Sequence, residues 1–126
     1  MSGNKGILVD TNSLIYFFNG NQKVIDAIND EILYISIIPE IELLSFAKLD
    51  ENSEKAIRVF LSDDNCKLIE LITSIKEYTI TIRRKQRIKL PDAIVAATAI
   101  FLGIPLLTFD AGFAKIADLD LILLEL

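Results

Sequence analysis

The sequence predicts an α/β fold of three layers, in which helices cover both faces of a central, mostly parallel sheet of about five strands. Short apolar runs alternate with segments of helical spacing along the chain, and this alternation is typical of a parallel sheet. The chain has 126 residues, of which 52% are hydrophobic, so it is long and apolar enough to bury a core. We therefore expect residues 1–126 to form a single domain.

The first half of the chain predicts two strands and four helices. Residues 7–9 are an apolar run that ends at Asp10, and the polar residues that follow can cap a helix, which Gly20 ends. Apolar spacing then predicts a helix around 24–28, a strand at 32–37, a helix that opens at Pro39 and continues to Lys48, and a helix at 53–61.

The second half predicts three strands and three helices. Apolar runs predict strands at 67–71, 104–109 and 119–124, and helical spacing predicts helices from Ser74 to about Arg87, over 92–101 and over 111–116. The helix at 92–101 is apolar nearly all round, so we expect it to lie centrally, between Pro91 and Gly103. Ligands of such folds bind beyond the carboxyl ends of the strands, which is where a site is expected.

The composition excludes several kinds of chemistry. The chain has no histidine, so catalytic triads and zinc sites built on imidazole are unavailable. Its single cysteine, Cys66, cannot form an intrachain disulfide. The start of the chain is polar, and no apolar run approaches the roughly 20 residues that span a bilayer. These features predict a cytoplasmic protein without a membrane segment.

Basic residues are concentrated in one stretch of an acidic chain. The net charge is −5, yet residues 78–91 hold five basic residues and no acid. The net charge does not favour nonspecific binding to nucleic acid, whereas a local basic cluster can bind a polyanion. A solvated helix face, or a helix C-terminus that complements its own dipole, accounts for the same charges.

Four acids fall at the edge of the sheet where ligands are expected. Asp10 and Asp110 each follow a predicted strand, Asp92 opens the Ala-rich helix, and Glu42 lies early in the helix after the second strand. Each also has a plain structural explanation, as a helix cap, a partner of a helix dipole or an exposed helix residue. All four at one edge are harder to explain in that way.

Clustered carboxylates need a counter-ion. Two charges about 5 Å apart repel by roughly 3 kcal/mol at an effective dielectric constant of 20. Such a cluster either raises one of its own pKa values or binds a hard cation. Because every available donor is an oxygen, the chemistry points to Mg²⁺ or Mn²⁺, which can activate a water molecule for phosphodiester cleavage.

Four segments of the sequence resemble the PIN domain, and within that family the VapC-type toxins of toxin–antitoxin pairs. They are ILVDTNSLIYFFNG at 7–20, ISIIPEIELL at 35–44, RRKQRIKLPDAIVAATA at 83–99 and LLTFDAGF at 106–113. The ordered set covers the chain nearly end to end. Pro39 stands where Thr or Ser is common in the family, and Gly112 stands where an acid is frequent.

The resemblance implies a metal-dependent endoribonuclease that acts on structured RNA such as tRNA or rRNA, forms a homodimer and is blocked by a small antitoxin protein. Position by position, it implies a catalytic and metal-binding quartet at Asp10, Glu42, Asp92 and Asp110. Asn12 and Thr108 match the supporting polar positions. The basic residues implied to lie near the RNA are Arg83, Arg84, Lys85 and Arg87.

Two other functions remain open on the residues alone. The domain can be a catalytically weak or inactive interaction module, whose acidic edge receives a partner's Arg or Lys and whose Phe17–Phe18 pair borders an apolar groove for a partner helix. At least one of these two rings is expected in the core. A magnesium phosphatase or phosphoacceptor domain is the third reading, but Asn12 stands where a second aspartate is needed, and no Lys follows the fourth strand in the place expected for that class.

Overall fold

A computed structural model describes residues 6–126, which form five strands, six α-helices and one 3₁₀ helix. The elements in chain order are β1 (Ile7–Val9), α1 (Thr11–Phe18), α2 (Gln22–Ile28), β2 (Leu33–Ser36), α3 (Ile37–Leu44), α4 (Glu51–Leu61), β3 (Cys66–Ile69), α5 (Thr73–Lys85), α6 (Leu90–Leu102), β4 (Leu106–Thr108), the 3₁₀ helix (Ala111–Lys115) and β5 (Leu121–Leu123).

The strands form one sheet in the order β3-β2-β1-β4-β5, and every pair is parallel. The predicted fold class is therefore confirmed, with a sheet that is parallel throughout. The order reverses direction at β1, because β2 and β3 lie on one side of it and β4 and β5 on the other. This switch point is where open parallel sheets bind their ligands.

Each face of the sheet carries its own apolar core. In β1, Ile7 and Val9 point into a core shared with α1, α2 and α4, whereas Leu8 points into a core shared with α5 and α6. Seven consecutive residues of α6, from Ala93 to Ala99, are buried. The prediction of a central Ala-rich helix is confirmed, and Gly103 ends it in the left-handed conformation, with φ of 67°.

The helix predicted from Pro39 differs from the observed one at both ends. Helix α3 begins at Ile37, because the Ser36 hydroxyl accepts the Ile38 backbone N–H at 3.2 Å and caps the first turn. Proline is tolerated in that turn, where backbone N–H groups have no helical acceptor. The helix ends at Leu44, so the predicted continuation to Lys48 was wrong.

The helix predicted from Ser74 also has different ends. Helix α5 begins at Thr73, without a side-chain cap, and stops at Lys85 because Gln86 is extended. Arg87 therefore lies in the loop that leads to α6, outside the predicted helix. The first strand has the predicted bounds, whereas the other four strands are shorter than predicted. Helix α4 begins at Glu51 because Asp50 caps it, and the segment after Asp110 is a 3₁₀ helix. Among residues 6–126, no helix is both long and apolar enough to cross a membrane.

Candidate active site

The carboxyl ends of two neighbouring strands place Asp10 and Asp110 on the same edge of the sheet. β1 pairs with β4 in the register Val9 to Leu107, so the residues that follow these strands lie side by side. Asp10 caps α1 and Asp110 caps the 3₁₀ helix. The structural explanation of both residues as caps is therefore correct, and it also fixes where both carboxylates lie.

The side chain of Thr108 connects the two aspartates. Its hydroxyl donates to Asp10 Oδ2 at 2.5 Å and accepts the backbone N–H of Asp110 at 3.0 Å. The other oxygen of Asp10 accepts the backbone N–H of Ser13 at 2.9 Å. Because Thr108 has no solvent exposure, this hydroxyl has no access to water and holds Asp10 in a single orientation.

Glu42 reaches the site from α3 and is held by a neighbour that the sequence did not single out. Thr11, the first residue of α1, donates its hydroxyl hydrogen to Glu42 Oε1 at 2.5 Å. This hydrogen bond joins residues 31 positions apart and connects α3 to the start of α1. A hydroxyl on the residue after a capping aspartate is too common in sequences to have signalled this role.

Asp92 is the acid on which the negative charges of the other three acids act. It is the third residue of α6 and is only partly exposed. Burial raises the pKa of the Asp92 carboxyl, and the negative charges of Asp110, Asp10 and Glu42 raise it further, while Lys89 lowers it. The charges of the acids predicted from three other segments therefore all act on Asp92 at this edge.

The chemistry of these donors fits a hard divalent cation. The four acids offer only oxygen ligands, and Mg²⁺ binds through few carboxylates while it keeps several waters. Within residues 6–126, no three acidic or cysteine side chains are already gathered so as to hold an ion directly. Instead, Asp10 accepts one hydrogen bond on each oxygen, Glu42 and Asp110 accept one hydrogen bond each, and every one of these carboxylates retains further acceptor capacity.

Asn12, predicted as a supporting polar residue, lies exposed on α1 and makes no hydrogen bond with the carboxylates among the described residues. In the same segment, Thr11 contacts Glu42 through its hydroxyl and Ser13 contacts Asp10 through its backbone. Sequence reasoning overlooked the contact of Thr11, whereas the contact of Ser13 is the one expected of Asp10 as a helix cap. Thr108, also named from the sequence, contacts both Asp10 and Asp110.

The basic residues predicted near RNA lie around two separate depressions. Arg83, Arg84 and Arg87 line an open groove of about 560 Å³ between α5 and the loop before α6. Lys85 lines a different depression, near the end of the 3₁₀ helix. Only Arg87 also lines the cleft that contains Asp92 and Asp110.

An apolar groove of about 590 Å³ lies beside the acids, between α1, α3 and α4. Thr11 and Glu42 border it, and its apolar lining includes Ile15, Phe18 and Phe46. Phe46 is 64% exposed. Of the two neighbouring rings considered from the sequence, Phe18 borders this groove, while Phe17 packs against the core beside Phe60.

The chain matches one protein family and resembles several solved structures. The model of the PIN domain family matches residues 7–119. The chain is similar over 95% of its length to a chain in a toxin–antitoxin complex from Klebsiella pneumoniae, of which 99% is covered, with 31% identity and a TM-score of 0.81. No curated protein sequence matches significantly.

Two further solved structures share the fold. One is VapBC2 from Rickettsia felis bound to a DNA fragment from its promoter, with 22% identity, 92% of this chain and 96% of that chain covered, and a TM-score of 0.77. The other is FitAcB from Neisseria gonorrhoeae, with 22% identity, the same coverage of 92% and 96%, and a TM-score of 0.73.

Proposed function

The chain belongs to the PIN domain family, and from this premise we propose that it is a Mg²⁺- or Mn²⁺-dependent endoribonuclease, the VapC-type toxin of a toxin–antitoxin pair. The single observation that carries the proposal is that acids from four separate segments meet at one edge of the sheet: Thr108 contacts both Asp10 and Asp110, Thr11 holds Glu42, and the charges of these three acids act on Asp92. Such a concentration of negative charge at the switch point of a parallel sheet is costly to the fold unless a cation offsets it.

The four carboxylates would hold the cation, and their neighbours prepare them for it. When bound there, a divalent cation supplies a water of lowered pKa and neutralises charge on the phosphodiester. Thr108 restricts the orientation of Asp10, and Thr11 restricts that of Glu42, so these acceptors need little rearrangement. Asp92, whose pKa is raised, holds its proton to a higher pH than an exposed aspartate and releases it when positive charge arrives.

The basic residues of α5 and the following loop would bind the RNA backbone. Arg83, Arg84 and Arg87 line one groove, and guanidinium groups suit phosphate through paired N–H donors. Arg87 also borders the cleft that contains Asp92 and Asp110. Lys85 lies apart from this groove, so we assign it the weakest contribution to RNA affinity.

An antitoxin would occupy the apolar groove between α1, α3 and α4. The similarity to a toxin–antitoxin complex at 31% identity favours such a partner, and the groove suits the apolar face of a helix. Because Glu42 borders the groove, a basic residue of the antitoxin can reach the acidic edge and compete with the cation. We also propose, from the family resemblance, that the protein acts in the cytoplasm as a homodimer.

The same groove favours a second candidate function, that of an interaction module without catalysis. The two functions differ in whether the purified chain cleaves RNA in the presence of Mg²⁺ or Mn²⁺. The test compares the wild-type protein with Asp92→Asn and Glu42→Gln, using total RNA with and without EDTA. Glu40→Gln is the matched control, since Glu40 lies on the same helix but its charge acts on Cys66 instead of Asp92.

The nuclease proposal predicts cleavage by the wild type and by Glu40→Gln, which EDTA abolishes, and no cleavage by the other two variants. Cleavage that is unaffected by EDTA, or that persists at the wild-type rate in Asp92→Asn, contradicts it. Absence of cleavage together with tight binding of the antitoxin supports the interaction module.

A further inference from the structure

A small cleft on the Asp110 side of the acidic edge combines two carboxylates with three cationic side chains. It has a volume of about 250 Å³ and is bordered by Asp92 and Asp110 together with Arg87, Lys89 and Lys115. Neither Lys89 nor Lys115 belongs to the basic set predicted from the sequence to bind RNA. Lys115 is contributed by the 3₁₀ helix, whereas Arg87 and Lys89 belong to the loop before α6.

Two basic side chains donate hydrogen bonds to the backbone of the loop that borders this cleft. Lys115 Nζ donates to the backbone carbonyl of Arg87, which joins the 3₁₀ helix to the loop before α6. Arg83, which lies on α5, donates from Nε to the backbone carbonyl of Ile88 at 3.3 Å. The loop that carries Arg87 and Lys89 is therefore fixed by two basic side chains.

The three cations are available to an anion. All three side chains are exposed, and the ion pair formed within residues 6–126 joins Arg58 and Glu54, remote from this cleft. Lys89 borders the same cleft as Asp92 and Asp110, so its charge lies close to these two acids. A phosphate that approaches the four acids is repelled by them, and nearby unpaired cations offset this repulsion.

We propose that Lys115, together with Lys89 and Arg87, binds the backbone phosphate of the RNA strand adjacent to the phosphodiester at the four acids. This inference rests on the proposed nuclease function and deepens it. Arg87 and Ile88 also border the larger groove that holds Arg83 and Arg84. The two depressions are thus adjacent, and anions at regular intervals along a polymer suit two neighbouring basic sites better than one acidic side chain of a protein does.

The test measures binding instead of cleavage, so it does not depend on the catalytic proposal. A fluorescein-labelled oligouridylate of about 12 nucleotides is titrated with the protein in EDTA, and anisotropy is followed between about 50 and 200 mM salt. The variants are Lys115→Gln, Lys115→Arg and Lys23→Gln. Lys23 is the matched control, because it also donates to a backbone carbonyl, that of Glu125, but does not border this cleft.

We expect Lys115→Gln to weaken binding about threefold to tenfold at low salt and to reduce the slope of log affinity against log salt by about 0.7, the value for one phosphate of a single strand. Glutamine can still donate to the Arg87 carbonyl, so a purely structural role of Lys115 leaves the salt slope unchanged. Lys115→Arg should restore the slope, and Lys23→Gln should match the wild type.

An unchanged salt slope in Lys115→Gln, or no binding of RNA by the wild type, overturns the inference. It is also overturned if a polyglutamate peptide binds with the same dependence on Lys115 and RNA does not, because the cleft would then serve an acidic protein segment. RNA binding that depends on Lys115 in a protein that cleaves no RNA would support this inference while the nuclease proposal fails.

Discussion

The buried hydroxyl of Thr108 donates to the carboxylate of Asp10 at 2.5 Å and, at the same time, accepts the backbone N–H of Asp110 at 3.0 Å. One side chain on β4 therefore sets the positions of two of the four acids. The contact depends on the parallel pairing of β1 with β4, which brings the ends of these strands side by side.

Replacement of Thr108 by valine should disturb both aspartates while it preserves the shape of the side chain. The change removes the donor to Asp10 and the acceptor of the Asp110 N–H, and the loss of a hydrogen bond costs about 0.5–1.5 kcal/mol. We expect a lower free energy of unfolding in urea and weaker binding of Mn²⁺. Thr108→Ser keeps the hydroxyl and should retain metal affinity, so equal losses in both variants would assign the effect to packing alone.

The raised pKa of Asp92 predicts how the stability of the metal-free protein depends on pH. The folded state binds this proton more tightly than the unfolded chain, in which the pKa is near 3.8. The stability contribution of Asp92 is therefore full below that value and is lost as the pH rises through the raised pKa of the folded state.

Asp92→Asn should consequently be at least as stable as the wild type at neutral pH in EDTA, and this advantage should disappear towards pH 4. Thermal unfolding across this range measures the difference. A metal-free Asp92→Asn protein that is less stable than the wild type at pH 7 would show that the carboxylate makes a favourable contact outweighing its burial and repulsion.

The thiol of Cys66 should be unreactive in the folded protein. Burial raises the pKa of this thiol to about 11, and the charges of Asp63 and Glu40 add to the effect. Because the thiolate is the reactive form, alkylation by iodoacetamide at pH 8 should be far slower in the native protein than in urea. Because the raised pKa means that the protonated thiol favours the folded state, its contribution to the free energy of unfolding is lost as the pH rises from about 9 to about 11. Equal alkylation rates in the native protein and in urea would show that the thiol of the folded protein is in contact with solvent.

The apolar groove should respond to substitution in its affinity for the antitoxin and not in its stability. Phe46→Ala removes an exposed ring from the groove, so the free energy of unfolding should change by no more than about 0.5 kcal/mol. Binding of the cognate antitoxin, measured by calorimetry, should weaken at least about tenfold if the ring is a central anchor. Val59→Ala, which alters a similarly exposed residue outside this groove, is the control. Equal affinities of the two variants would move the antitoxin to another surface.

The sequence was sufficient to predict the order of the elements and the edge at which the acids lie. Apolar spacing identifies strands such as Ile7–Val9, and the parallel sheet then follows from alternation with helices. Helix ends were harder to locate, because they depend on single contacts. Because Ser36 caps α3, this helix begins at Ile37, two residues before the predicted start. The extended conformation of Gln86 ends α5 before Arg87.

The contacts around the acids could not be inferred in the same way. The bond between Thr11 and Glu42 depends on how α1 packs against α3, and many threonines in the chain look equivalent without that packing. Lys115 lies 28 positions after Arg87 and reaches the cleft because the 3₁₀ helix folds back towards that residue. Clusters of charge in the sequence therefore identified only part of the basic surface.

Calorimetric titration with Mn²⁺ tests the central claim, that Asp10, Glu42, Asp92 and Asp110 together form one site for a divalent cation. The account predicts saturable binding by the wild type and by Glu40→Gln, and affinities lowered at least about tenfold in Asp92→Asn and Asp10→Asn. Binding that is equally tight in all four proteins, or undetectable in the wild type, would contradict the claim.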